Sequence, residues 1–107
     1  MNVERLVISN YQMAEALFEF RDYAGAAKLL VEVVEEAPNL VAPRLLLARA
    51  YYHSAQLGRA EEQLREIITR DPVEPYAHLM LGRTLERQGR HDEAAPLLRL
   101  AAAFTGD

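Results

Sequence analysis

Apolar residues along this chain recur three, four or seven positions apart in short stretches, the spacing that lines one face of a helix. Met13, Ala14 and Leu17 make one stripe and Ala26, Leu30 and Val33 the next, with a short polar break between them. The pattern then repeats. Ala26, Ala60 and Ala94 stand 34 residues apart, as do Leu30, Leu64 and Leu98, then Val33, Ile67 and Ala101. Upstream, Met13, Leu47 and Leu81 fall in the same register, followed by Ala14, Ala48 and Gly82 and by Leu17, Tyr51 and Leu85. Helices are predicted over 3–20, 22–36, 41–55, 58–70, 74–88 and 92–104, six in all, forming three antiparallel hairpins. Arg21-Asp22, Leu57-Gly58 and Gln88-Gly89-Arg90 read as the turns inside the hairpins. Pro38 and Pro72 read as the breaks between hairpins, because proline lacks an amide donor and disfavours helix at the residue before it. The β-branched runs 31–34 and 67–69 lie inside helical periodicity, so the fold class is all-α, an α-solenoid.

These residues resemble the tetratricopeptide repeat, a 34-residue unit with leucine, glycine and tyrosine on its first helix, then alanine, phenylalanine and a closing proline. The third copy places Leu81, Gly82, Leu85, Ala94, Leu98 and Gly106 at those positions, and the second Leu47, Ala48, Tyr51, Ala60, Leu64 and Pro72. The first places Met13, Ala14, Leu17, Ala26, Leu30 and Pro38 there, with Tyr23 resembling the tyrosine of the family's inter-helix turn. The family's tryptophan is replaced by Asn10, Arg44 and His78. The resemblance implies a right-handed solenoid in one domain over residues 1–107, with repeats at about 7–40, 41–74 and 75–107.

Length and composition agree with one domain: 107 residues, half of them hydrophobic and 26% charged. With no cysteine, disulfides and thiolate chemistry are excluded. A formal charge of −4 has the wrong sign for gripping nucleic-acid phosphates. The longest N-terminal apolar run, Leu6-Val7-Ile8, is too short for a secretion signal, and Leu45-Leu46-Leu47-Ala48 is far too short to span a bilayer. A soluble, cytoplasmic chain is expected, with no membrane insertion, and a start at Met1 favours a complete short protein.

No constellation for catalysis emerges. Ser9, Ser54, Thr69, Thr84 and Thr105 lack a partnered base, since His53 and Ser54 diverge by about 100° on a helix. His53, His78 and His91 lie 25 and 13 residues apart, without a second ligand at helical spacing, and read as surface or interface residues. The single lysine, Lys28, sits mid-helix and outside any phosphate loop. The acidic pairs Glu35-Glu36, Glu61-Glu62 and Asp92-Glu93 point apart, as neighbours on a helix do. The expectation is a non-enzyme with no metal and no cofactor.

Binding is the function left. The resemblance implies that the first helix of each hairpin lines a concave groove that takes an extended or helical peptide from another protein. Tyr11, Glu15 and Phe18 share one helical face, as do Leu45, Arg49 and Tyr52, and Leu79, Arg83 and Glu86; Tyr76, Met80 and Arg87 lie on the same third-copy helix. Polar residues there change sign, from Gln12, Glu15 and Glu19 to Arg49 and His53 and then Arg83 and Arg87. A peptide is expected to set apolar anchors on Tyr11, Phe18, Leu45, Tyr52 and Met80 and an acidic group on Arg49, Arg83 or Arg87. The alternative is that the leucines pack between repeats and the arginines pair with Glu15, Glu19 and Glu86. Tyr11, Glu15, Leu46, Tyr76 and Met80 do not match the carboxylate clamp of the family's chaperone adaptors. The last helix is apolar nearly all round, so a homodimer through Leu97, Leu100, Ala101 and Phe104 is the second expectation.

Overall fold

A computed structural model describes residues 3–106. Six helices follow one another: α1 (Val3–Glu19), α2 (Tyr23–Glu36), α3 (Val41–His53), α4 (Leu57–Arg70), α5 (Pro75–Arg87) and α6 (His91–Thr105). No strand occurs among the described residues. The chain forms two compact units, Met1–Ala55 and Gln56–Asp107, so the division falls at the turn inside the second repeat. In the first unit α2 packs against both α1 and α3, and α1 touches α3 more lightly. In the second unit α5 packs against α4 and α6.

The 34-residue register governs the core. Ala26, Ala60 and Ala94 are buried, Leu30 and Leu64 fully so, and Val33, Ile67 and Ala101 with them. Ala14, Ala48 and Gly82 are buried too, and a Cβ added to Gly82 would stand 2.6 Å from Leu98 Cδ2, so the Leu98 side chain packs directly over the bare backbone of α5. The first copy breaks the rule: Met13 is 57% exposed, where Leu47 and Leu81 are each 1% exposed. α3 and α5 each pack on a helix that precedes them in their own unit, and α1 has none.

The turns follow the register as well. Arg21, Ala55 and Gly89 are 34 apart and all take positive φ, at 64°, 60° and 76°. The Leu57-Gly58 turn is corrected accordingly: those residues open α4, and Ala55 makes the reversal. A left-handed residue with a Cβ costs about 1–2 kcal/mol over glycine. Gly89→Ala, which meets no steric obstacle, will therefore lower stability by about 1 kcal/mol in thermal melts, and Ala55→Gly will raise it by a smaller amount. Pro96 is the sixth residue of α6, beyond the first turn, on an exposed position.

The positions that replace the family's tryptophan have a shared role. Arg44 Nη2 donates to the Pro38 carbonyl at 3.3 Å, and His78 Nε2 lies 2.7 Å from the Pro72 carbonyl, so each ties a helix to the proline six residues before it. A carbonyl only accepts, so Nε2 carries the proton. His78 is thus not a surface residue; it is 4% exposed, and its ring lies 5.4 Å from Phe104.

An ion-pair network holds α4 to the start of α6. Arg90 donates to both Glu93 oxygens, at 2.7 and 2.8 Å, and to Glu61 at 2.7 Å, while Arg65 Nε donates to Glu61 at 2.9 Å. Burial pushes the Glu61 carboxyl up, but the hydrogen bonds and charges of Arg65 and Arg90 outweigh it, and its pKa falls below the ordinary value. Hydrogen bonds from Arg90 lower Glu93 as well. A carboxyl whose folded pKa is depressed stabilises the fold above its unfolded value, about 4.3, and loses that contribution as pH drops through the folded value. The melting temperature will fall as pH drops below about 5, and Glu61→Gln will flatten that fall in melts taken across the range.

Candidate functional site

The first unit holds a cleft of about 200 Å³ between α1 and α3. Tyr11, Glu15, Phe18 and Glu19 come from α1, and Ala42, Leu45, Leu46 and Arg49 from α3. The spacing on α1 is four, three and one residues, which puts all four side chains along one edge of that helix. Burial pushes the Tyr11 phenol above its ordinary range, the Glu15 charge adds to the rise, and the Arg49 charge opposes it.

Aromatic packing fixes one wall. The Arg49 guanidinium carbon lies 4.7 Å from the Phe18 ring centroid, a cation–π contact. Phe18 meets Tyr23 edge-on at 5.0 Å and His53 at 5.7 Å, while Tyr23 and His53 stack at 4.9 Å. Tyr52 meets His53 edge-on at 5.5 Å. Phe18 is therefore held by α2 and α3 together, and it holds Arg49 in turn. Among the described residues Arg49 makes no ion pair, so the expected pairing with Glu15 or Glu19 does not form, and its guanidinium hydrogens are not committed to a carboxylate.

Of the residues expected in one groove, the structure brings Tyr11, Glu15, Phe18, Leu45 and Arg49 to this cleft. Tyr52 does not line it and instead packs on His53. Tyr76 and Arg83 belong to a different cleft, in the second unit, with Leu79, Leu98, Ala101, Ala102 and Thr105. Arg87 is exposed at the end of α5 and lines neither cleft. Met80 is corrected: it is 5% exposed, packed inside α5's buried face with Ala77 and Thr84, and offers no docking anchor. The self-association set divides in the same way, since Ala101 is buried and Leu97 half-buried, leaving Leu100 and Phe104 as the exposed pair. Tyr23 escapes the sequence reading as part of the site, and so does its stacking on His53, because nothing in helical periodicity joins residues 30 positions apart on different helices.

The sequence matches the tetratricopeptide repeat over residues 17–83, and a second tetratricopeptide repeat match covers 75–104. The chain belongs to the tetratricopeptide repeat family. As a member it is a protein-interaction scaffold, the role this family's helical hairpins serve. It is similar to the chloroplastic PsbB mRNA maturation factor Mbb1 of Chlamydomonas reinhardtii, 44% identical over 48 residues, which is 45% of this chain and 7% of that one. Its fold is that of MamA from Desulfovibrio magneticus RS-1, with a TM-score of 0.86 at 26% identity over 92% of this chain and 55% of the other. MamA AMB-1 superposes with a TM-score of 0.89 at 23% identity, over 94% of this chain and 59% of the other. The tetratricopeptide repeats here thus span a little over half the length of these MamA chains and a small part of the chloroplast factor. Among the described residues no helix is long and apolar enough to cross a membrane, and no three metal-ligating side chains cluster.

Proposed function

We propose that this scaffold binds a peptide segment of a partner protein in the α1/α3 cleft, with an apolar side chain against Tyr11, Phe18 and Leu45 and an acidic group on Arg49. The observation that carries this reading is the Arg49 guanidinium, held over Phe18 at the cleft and in no ion pair among the described residues. A planar cation fixed in this way is preorganised for a carboxylate, and preorganisation reduces the entropy lost on binding. The cleft volume lies below the roughly 300–1,000 Å³ of small-molecule sites, and suits one large side chain of a peptide better than a cofactor. Glu15 and Glu19 on the same rim favour a basic residue or a free amide beside the acidic one. The net charge of −4 supports a polypeptide ligand over a nucleic acid.

Fluorescence anisotropy with labelled peptides tests the reading. One set carries a leucine or phenylalanine anchor next to a glutamate, and its matched set carries lysine in place of the glutamate. The acidic set is expected to bind at micromolar levels and the lysine set at least about tenfold more weakly. Equal affinity for both sets, or none for either at about 500 μM, rules the proposal out.

A further inference from the structure

The two ends of the chain carry complementary halves of one interface. Inside the first unit, α3 lies on the surface made by α1 and α2. Inside the second, α5 lies on α4. These packings bury Leu47 and Leu81 to 1% exposure and Ala50 and Thr84 completely. On α1 the same two register positions, Met13 and Ala16, are exposed, and Phe20 beyond them is 86% exposed. α1 therefore presents the incoming face of a repeat with nothing in its own unit covering it.

The other half is the α5/α6 cleft, about 440 Å³, walled by Leu79, Leu98 and Ala102 with Tyr76 and Arg83 at its edge. Sixty-eight residues earlier, these walls correspond to Tyr11, Leu30 and Val34, the surface under α3. Leu30 is fully buried, and Leu98 is only half-buried. The cleft thus has the chemistry of a seat for the first helix of a further repeat.

We propose that copies of this chain join head to tail, with α1 of one copy seated in the α5/α6 cleft of the next. Charge selects this occupant. Glu15 on α1 and Arg49 on α3 share a cleft rim within the first unit. At the joint between copies, 68 residues on in register, the seat side holds Arg83 where the first unit has Glu15, and the incoming side holds Glu15 where the first unit has Arg49, so the two charges are opposite there too. Arg83 is exposed and makes no ion pair among the described residues. Because the two joining surfaces differ, the contact is heterologous, and copies extend into an open chain or close into a ring rather than pairing through one isologous patch. The inference stands apart from the peptide-binding reading, which depends on Arg49 and Phe18.

Light scattering on the full chain across about 1–500 μM tests it, with two variants at exposed positions. Met13→Arg blocks the incoming face, and Arg83→Glu blocks the seat. Wild type is expected to grow in mass with concentration from 12.1 kDa past twice that value. Each variant alone is expected to associate at least about tenfold more weakly, while an equimolar mixture forms a one-to-one dimer, because each variant keeps the half that the other lacks. Circular dichroism melts at low concentration should match wild type for both, separating lost association from lost folding. A wild type that stays monomeric overturns the proposal. So does a mass that stops at the dimer, or a mixture no larger than its components.

Discussion

Leu64→Ala will cost about 2–5 kcal/mol of folding free energy, Leu30→Ala about the same, and Leu98→Ala only about 1–2 kcal/mol. The three leucines occupy one register position on the second helix of each hairpin, so the chemistry removed is identical. Leu30 and Leu64 are fully buried, and truncation there removes transfer free energy and leaves a cavity that close-packed neighbours fill incompletely. Leu98 faces the α5/α6 cleft and is only partly buried, so less apolar area returns to water and no closed cavity forms. Urea melts at low micromolar concentration, below the range where copies would cover the cleft, measure all three. Equal losses would show that Leu98 is as enclosed in solution as Leu64, and would remove the open seat on which head-to-tail joining depends.

That series also shows what the hydrophobic pattern conveyed and where it stopped. A period of 34 residues marks which positions face a neighbouring helix, and Ala26, Leu30 and Val33 with their counterparts are core because each has one. Periodicity carries no information about whether the neighbour is present, and so Met13 looked like Leu47 and Leu81 although nothing in its unit covers it. Met80 looked like a groove residue for the opposite reason: its helix has neighbours on both sides, α4 and α6, and its exposed stripe is narrower than the stripe of α1. His78 reads as a surface or interface residue because no second ligand stands at helical spacing, but its Nε2 is buried with the Pro72 carbonyl to accept its proton, while Nδ1 is buried without a hydrogen-bond partner among the described residues. Turn chemistry misled at Gly58, since Ala55 accepts a left-handed conformation that glycine takes at the equivalent Gly89. Most of the candidate site is legible, as Tyr11, Glu15 and Phe18 share one helix face and Leu45 and Arg49 share another. The stacking of Tyr23 on His53, which fixes Phe18 and through it Arg49, depends on packing between helices.

Arg49→Glu will weaken binding of an acidic peptide by about 30–100-fold, or about 2–3 kcal/mol. The loss has two sources. A charge-assisted, two-pronged hydrogen bond to the peptide carboxylate disappears, and a third carboxylate joins Glu15 and Glu19 at the cleft, turning attraction into repulsion. Arg49→Lys separates charge from geometry: it keeps the positive charge but loses the planar fork and most of the contact with Phe18, so a loss of about fivefold to tenfold is expected. Phe18→Leu should fall in the same range, because it leaves Arg49 in place while removing the ring that orients it. Arg83→Glu, in the cleft of the other unit, should leave peptide affinity within about twofold of wild type while it weakens self-association. Anisotropy titrations of the four variants against the acidic peptide set therefore sort the two arginines by surface. If Arg83→Glu weakens the peptide as much as Arg49→Glu does, the arginines act on one ligand, and the division into two working clefts is wrong.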